Sequence, residues 1–539
     1  MTLLTVSQLN VQFGSDRVVQ DVSLSIAPGE VLALAGESGS GKSITAAAIL
    51  GLLPQQAKAS GDILFHHQPL LNQPDARLNR LRGHALAMVA QNSLSTLDPS
   101  WRVGQQLQHN LRRLDPRLSR RERRAGAIHW LERMHIRQPE QVMARYPHEL
   151  SGGMRQRILI ALAAMCQPEL LIADEPTTAL DASVQREVLH LLRELCQQQQ
   201  MAMLLISHDF GVVASLSDRV AVMRHGRIVE TGNTAEVIAA PQHPYTQALL
   251  AAVPHPNRQP PPAAASSTLL RATGLGRDYW QREFSGWWPR NVRFSAVEAV
   301  DLQLHAGEIV GIIGESGSGK STLARLLAQL VPASRGELQF AGDSLAAFRR
   351  QLQCVFQDSL ASFNPRLTLR EQLIRPQLRL AVVRDRESAL ARAQQLFSEV
   401  GLEPALLDRY PHQLSGGQRQ RANIARALVV NPRCLLLDEP TSALDLSVQA
   451  QVIALLQRLH QQHQLTYLFI SHNLALVAQF CQRILVMEAG RVVDDFTRDA
   501  LYDAGRHPVT QRLLAASTLL SDSRDKPQPV AFAKQQRQA

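Results

Sequence analysis

The sequence predicts an α/β protein made of two copies of one unit, each a parallel sheet that carries its chemistry at the carboxyl edge. Three observations lead there. Gly36-Glu-Ser-Gly-Ser-Gly-Lys42-Ser43 recurs as Gly314-Glu-Ser-Gly-Ser-Gly-Lys320-Ser321. A short apolar run leads into each of these loops and a helical stretch leaves it. Three later motifs, Leu-Ser-Gly-Gly, Asp-Glu-Pro-Thr and Ser-His, each recur 264 residues on (415 against 151, 438 against 174, 472 against 208). The two lysines are 278 apart (320 against 42), so the front halves of the copies hold loops of unequal length. A period this long means two homologous domains and not a stack of small repeats.

Within each copy the elements follow in order. Val31 to Ala35 and Ile309 to Ile313 are apolar runs that end at the glycine loops. Helical stretches follow, Lys42 to Leu53 and Lys320 to Leu330. Leu170 to Ala173 and Leu435 to Leu437 are further short apolar runs, ending at acidic pairs, and Met203 to Ile206 and Tyr467 to Ile470 lead to histidines. Continuous apolar runs of this length are strands covered on both faces, as in parallel sheets. The seam is a proline-rich stretch, Pro254 to Pro262, followed by Ala263 to Ser267. The expected organisation is a first domain over 1–253, a semi-rigid spacer over 254–268, a second domain over 269–520 and a loose polar tail over 521–539.

Composition sets outer limits. Of 539 residues, 45% are hydrophobic and 19% charged, enough apolar material for ordinary cores. No run of 18 apolar residues exists, and the richest stretch, Ile158 to Ala173, is broken by Gln167, Pro168 and Glu169. The chain is therefore not expected to span a membrane by itself. Its first residues do not read as a secretory signal. Five scattered cysteines, Cys166, Cys196, Cys354, Cys434 and Cys481, form no metal spacing and read as small core residues of a reduced compartment. The formal net charge is +10, and seven of the thirteen residues from Arg112 to Arg124 are arginine. A solvated helical face accounts for that run; contact with anionic lipid or nucleic acid is the sharper alternative.

The glycine loops carry the chemistry. Glycines let backbone N–H groups turn into a cavity and wrap a phosphate, and the helix that follows adds its positive end. Lys42 and Lys320 would reach the outer phosphates, and Ser43 and Ser321 would offer a hydroxyl to Mg²⁺. Asp174 and Asp438, at strand ends, suit a Mg²⁺ held through water. Glu175 and Glu439, the next residues, stand where a base or water-positioning group belongs, and His208 and His472 share their spacing.

The Leu-Ser-Gly-Gly segments at 150–153 and 414–417 make the resemblance specific. The chain resembles a tandem, fused ATP-binding protein of the oligopeptide, dipeptide and nickel importer branch of ATP-binding cassette (ABC) transporters. The resemblance covers everything but the spacer and tail. It implies two P-loop NTPase (RecA-like) cassettes in tandem, each with an antiparallel β subdomain and a helical subdomain near 92–165 and 358–429. It implies ATP and Mg²⁺ as cofactors. The nucleotide contacts it implies are Gly36, Ser38, Gly39, Gly41, Lys42 and Ser43, and Gly314, Ser316, Gly317, Gly319, Lys320 and Ser321. Phe13 and Tyr279 match the aromatic that stacks on adenine, although the segment from Tyr279 to Phe294 is longer than its counterpart. Gln91 and Gln357 match the glutamine that joins the helical part to the metal, beside Ser43, Asp174, Ser321 and Asp438. Asp181 and Asp445 match the loop that speaks across the dimer. In such proteins two cassettes close head to tail. Each ATP is then expected between the glycine loop of one half and Ser151, Gly152 and Gly153, or Ser415, Gly416 and Gly417, of the other.

The branch assignment rests on Pro241-Gln-His-Pro-Tyr-Thr246 after the first cassette and His507-Pro-Val-Thr510 after the second, with Ile172 to Thr178 and Met154 in support. Ala90, where the family has an aromatic, and Val509, where it has tyrosine, depart from the pattern. The resemblance implies two permease subunits and, through them, a solute-binding protein, at the cytoplasmic face of the inner membrane, with no nucleic acid. It implies ATP hydrolysis coupled to import, of di- or oligopeptides first, then nickel, metallophores or opines. A ribosome-associated translation factor with tandem cassettes is the reading from another class. That family carries a long charged helical linker, where this chain has a short proline-rich one. DNA-repair cassette ATPases would need zinc-binding cysteine clusters.

Overall fold

The computed structural model describes residues 2–91, 96–177, 180–254, 267–285, 288–340, 345–442, 444–503 and 505–517. Most of the expected spacer and all of the expected tail lie outside the described residues. Among these, two compact units result, one drawn from 2–177 and 185–250, the other from 180–184 and 251–517.

In the first unit six strands form one sheet in the order Arg227–Asn233, Arg219–Arg224, Val31–Ala35, Ala202–Ser207, Leu170–Asp174, Leu86–Val89. All neighbours run parallel except the first pair. A four-stranded antiparallel sheet, Asp16–Ile26, Leu4–Phe13, Ala57–Phe65 and Gln68–Pro69, lies beside it in the same unit. The second unit repeats the plan. Its large sheet runs Leu352–Val355, Cys434–Asp438, Thr466–Ile470, Ile309–Ile313, Arg483–Glu488, Arg491–Thr497. Its antiparallel sheet has three strands, Trp288–His305, Thr268–Ser285 and Arg335–Phe340.

The period of two explains why these strands read as unbroken apolar runs. Ile309, Ile313, Leu435, Leu437, Tyr467 and Phe469 point to one core, which continues into the helices through Leu373, Phe397 and Ile424. Val310, Ile312, Leu436, Leu468 and Ile470 point to the other, against Leu323 and Leu327 and the antiparallel sheet. Both faces are covered, so neither can be polar.

The helical parts fall where expected: Val103–Leu114, Arg120–Arg133, Pro139–Met143 and Gly152–Ala164 in the first unit, Leu369–Arg379, Arg386–Glu399 and Gly416–Leu428 in the second. The arginine run occupies the first two of these. Arg112, Arg117, Arg120, Arg121 and Arg124 are exposed and Arg113 donates to Gly83 O at 2.7 Å, which fits the solvated face. No helix among the described residues is long and apolar enough to cross a membrane.

Some boundaries differ from expectation. The loop-following helices stop at Ile49 and Leu327. Gly51 and Gln329 take positive φ there, +63° and +53°, which ends a helix. The second unit's first strand begins at Thr268, the last residue of the expected spacer, because Thr268 pairs with His305. Asp174 and Asp438 are the last residues of their strands, paired with Ile206 and Ile470, and do not follow them. The strand Thr466–Ile470 ends two residues before His472.

Candidate active site

Each site starts at the central strand. Val31–Ala35 delivers the chain into the loop at Gly36, and Lys42–Ile49 carries it away. Gly36 is forced: its φ is +148°, and a Cβ there would lie 2.2 Å from Met223 O. Gly314 repeats this at φ +155° and 2.3 Å from Met487 O. The neighbouring strand therefore passes too close for any side chain. Around Gly39 and Gly317 the space is open.

The lysines tie the loops together. Lys42 Nζ donates to Gly36 O at 2.9 Å, Glu37 O at 2.7 Å and Ser40 Oγ at 3.3 Å. Lys320 Nζ donates to Gly314 O at 2.7 Å, Glu315 O at 2.8 Å and Ser318 Oγ at 3.3 Å. Burial holds the Lys320 ammonium below its ordinary pKa, with Glu439 opposing. A buried cation inside a ring of carbonyls is a site made for anionic oxygens.

The acids stand next to it. Asp174 and Asp438 are buried, and burial pushes their carboxyls above the ordinary range. Ser321 Oγ donates to Asp438 Oδ1 at 3.4 Å. Among the described residues Asp174 Oδ1 is buried without a hydrogen-bond partner, the kind of oxygen a cation satisfies. Ser43, Asp174 and Gln91, with Ser321, Asp438 and Gln357, thus fit Mg²⁺ by donor chemistry.

Glu175 and Glu439 are held from two sides. Gln91 Nε2 donates to Glu175 Oε2 at 2.7 Å, and His208 Nδ1 lies 2.9 Å from Oε1. Gln357 Nε2 donates to Glu439 Oε2 at 2.9 Å, and His472 Nδ1 lies 3.3 Å from Oε1. Burial pushes Glu439 up, but the His472 hydrogen bond and charge and the Lys320 charge outweigh it, and its pKa falls below the ordinary range. Both glutamates have left-handed backbone, φ +48° and +47°. Side chains rarely accept that conformation, and it costs about 1 kcal/mol or more. Here the strain aims the carboxylate off the strand end, with the N–H of each held by Ile206 O or Ile470 O.

The structure thus brings lysine, serine, aspartate, glutamate, histidine and glutamine together within each unit. The other expected residues stand on separate elements. Phe13 ends its strand and packs on the core beneath the antiparallel sheet. Tyr279 is half-buried with the Arg277 guanidinium 4.9 Å from its ring centre. Ser151 and Ser415 cap the helices Gly152–Ala164 and Gly416–Leu428, accepting from Met154 N and Gln418 N. Sequence reasoning missed Ser40 and Ser318, buried lysine partners whose signal was their place in both copies of the loop. It also missed Tyr245, whose hydroxyl accepts from Glu37 N at 3.2 Å.

A family model described as "ABC transporter" matches residues 19–178 and again 297–442, spanning both loops and both acidic pairs. The chain belongs to the ABC transporter family. The cassettes hydrolyse ATP, and the chain is the ATP-binding subunit of an ABC importer. A second model, "Oligopeptide/dipeptide transporter, C-terminal region", matches 229–272. The glutathione import ATP-binding protein GsiA of Salmonella choleraesuis (strain SC-B67) is 41% identical over 576 residues, covering 98% of this chain and 92% of its own. GsiA of Escherichia coli (strain K12) is 40% identical over 580 residues with the same coverage. Among solved structures, a complex of archaeal ribosomal stalk protein aP1 with the ribosome recycling factor aABCE1 matches over 95% of this chain and 92% of that one, with TM-score 0.62. At 20% identity this is a likeness of fold alone.

Proposed function

We propose that this chain energises import of short peptides, glutathione (a tripeptide) among them. The observation that carries this is the 40–41% identity, over 98% of the chain, to proteins named for glutathione import. The match to the oligopeptide/dipeptide C-terminal region supports the same class. The ribosomal reading has only a likeness of fold behind it, and nickel, metallophores and opines have no observation of their own.

Two cassettes in one chain would close head to tail, each ATP held between one glycine loop and the Ser-Gly-Gly of the other half. The N-terminal ends of the helices Gly152–Ala164 and Gly416–Leu428 suit a γ-phosphate. Lys42 and Lys320 neutralise the phosphates, and Mg²⁺, when bound, adds charge stabilisation beside them. Glu175 and Glu439, oriented by glutamine and histidine, hold and polarise the attacking water, and the histidines accept contact with the phosphate being released. Cycles of tight and loose closure would then drive two permease subunits at the cytoplasmic face of the inner membrane, fed by a solute-binding protein.

Uptake of labelled glutathione, a labelled tripeptide and nickel is to be compared in deletion and complemented cells. Loss of peptide uptake on deletion, with nickel uptake and translation unchanged, is expected. Unchanged uptake of both peptides would overturn the reading.

A further inference from the structure

The duplication lets one half serve as the reference for the other. Each cassette ends in a helix docked by the same device. In the first, His243 N donates to Glu230 Oε2 at 3.2 Å and Tyr245 N to His243 Nδ1 at 3.1 Å, opening the helix Pro244–Ala252. In the second, His507 N donates to Asp494 Oδ2 at 3.1 Å and Val509 N to His507 Nδ1 at 3.3 Å, opening Pro508–Ser517. Docking is therefore common to both.

The reach of the docked helix toward the phosphate loop is not shared. The buried Tyr245 reaches that loop, its hydroxyl accepting from Glu37 N at 3.2 Å. The carbonyl of the same Glu37 accepts from Lys42 Nζ at 2.7 Å. The first residue after Gly36 is thus held at both ends, by the terminal helix and by the phosphate-binding lysine. Arg224 steadies the tyrosine, 4.8 Å from its ring centre. In the second cassette Val509 has no hydroxyl to offer Glu315. Glu488 stands in the place of Arg224 and pairs with Arg512 at 2.9 Å, where the first cassette has Ala248. Three positions change together, so this difference is a set and not one stray residue.

We propose that Tyr245 is a positioning residue for the nucleotide site built on Lys42, and that the two ATP sites are unequal because, among the described residues, only the first loop is hydrogen-bonded by the side chain of its cassette's terminal helix. This rests on the ATPase reading. A loop held in its binding shape spends more time competent, and apparent affinity scales with that fraction. The Lys42 site should bind Mg²⁺-ATP more tightly than the Lys320 site.

The test uses the full chain with one site silenced by Lys320→Ala or Lys42→Ala, and equilibrium binding of labelled ATP with Mg²⁺. Tyr245→Phe keeps the ring and its arginine contact but removes the hydroxyl. With Lys320→Ala present, it should raise Kd about two- to tenfold, the worth of one hydrogen bond. With Lys42→Ala present, it should leave Kd unchanged. In the otherwise intact chain KM should rise by more than kcat falls, whereas loss of folded protein would lower kcat alone. Unchanged Kd at the Lys42 site, or equal weakening in both backgrounds, would overturn the proposal. Absence of any Mg²⁺-ATP binding by the unsubstituted chain would instead sink the ATPase reading beneath it.

Discussion

Gln91 donates its amide nitrogen to Glu175 at 2.7 Å, while His208 holds the other carboxylate oxygen at 2.9 Å. Glu439 has the same two partners, Gln357 and His472. The family places the glutamine at the metal. Here its nitrogen serves the glutamate, and the amide oxygen keeps its lone pairs for a cation. One side chain can thus link metal and base, on the sequence that leads to the helices Val103–Leu114 and Leu369–Arg379.

A carboxylate put in the glutamine's place tests this link through pH. Like charge beside a carboxylate raises its pKa by about one unit or more. A water-polarising glutamate works only when ionised, so its activity is lost as pH falls through that pKa. Gln91→Glu with Gln357→Glu should therefore move the acid limb of the ATPase pH profile upward, and further than the two alanine variants, which lose the hydrogen bond to the ionised form but add no like charge. A pH–rate series on the three proteins decides it.

The buried aspartates set function against stability. Burial raises their folded-state pKa above the unfolded value. Their contribution to stability is thus full below the unfolded pKa and is lost as pH rises through the folded one. At neutral pH they destabilise the nucleotide-free protein. Asp174→Asn with Asp438→Asn should raise its Tm by roughly 2 °C or more and abolish Mg²⁺-dependent turnover. The gain in Tm should shrink as pH falls through the raised pKa. Calorimetric melts at neutral and mildly acidic pH would show both effects.

The head-to-tail proposal predicts damage across halves. Ser415→Arg should weaken nucleotide labelling at the site of Lys42, and Ser151→Arg at that of Lys320, each by tenfold or more. Photo-crosslinking with azido-ATP and peptide mapping reports each site. Loss confined to the substituted half would contradict the arrangement.

Much of this was legible because it is local. Val31 to Ala35 and Ile309 to Ile313 were read to the residue, since a glycine loop fixes one end and burial on both faces fixes the composition. Lysine, aspartate, glutamate and histidine were found from the glycine-loop motif, the strand ends and the repetition of both. What escaped depends on distant partners. That Asp174 closes a ladder with Ile206, that Gln91 meets Glu175, and that Tyr245 reaches back 208 residues to Glu37 are facts of tertiary pairing that no local period records. The segment after Tyr279, read only as longer than its counterpart, belongs to an extended hairpin of Thr268–Ser285 and Trp288–His305, set by cross-strand register. The early helix end at Ile49 had a signal in Gly51 that went unused.

In the proposed mechanism Glu175 and Glu439 act on water and not on nucleotide binding. The most direct measurement is the nucleotide retained by the Glu175→Gln, Glu439→Gln chain after incubation with Mg²⁺-ATP and rapid desalting, beside its steady-state turnover. Bound, unhydrolysed ATP and turnover reduced at least about a hundredfold are expected. Bound ADP with near-normal turnover would contradict the mechanism.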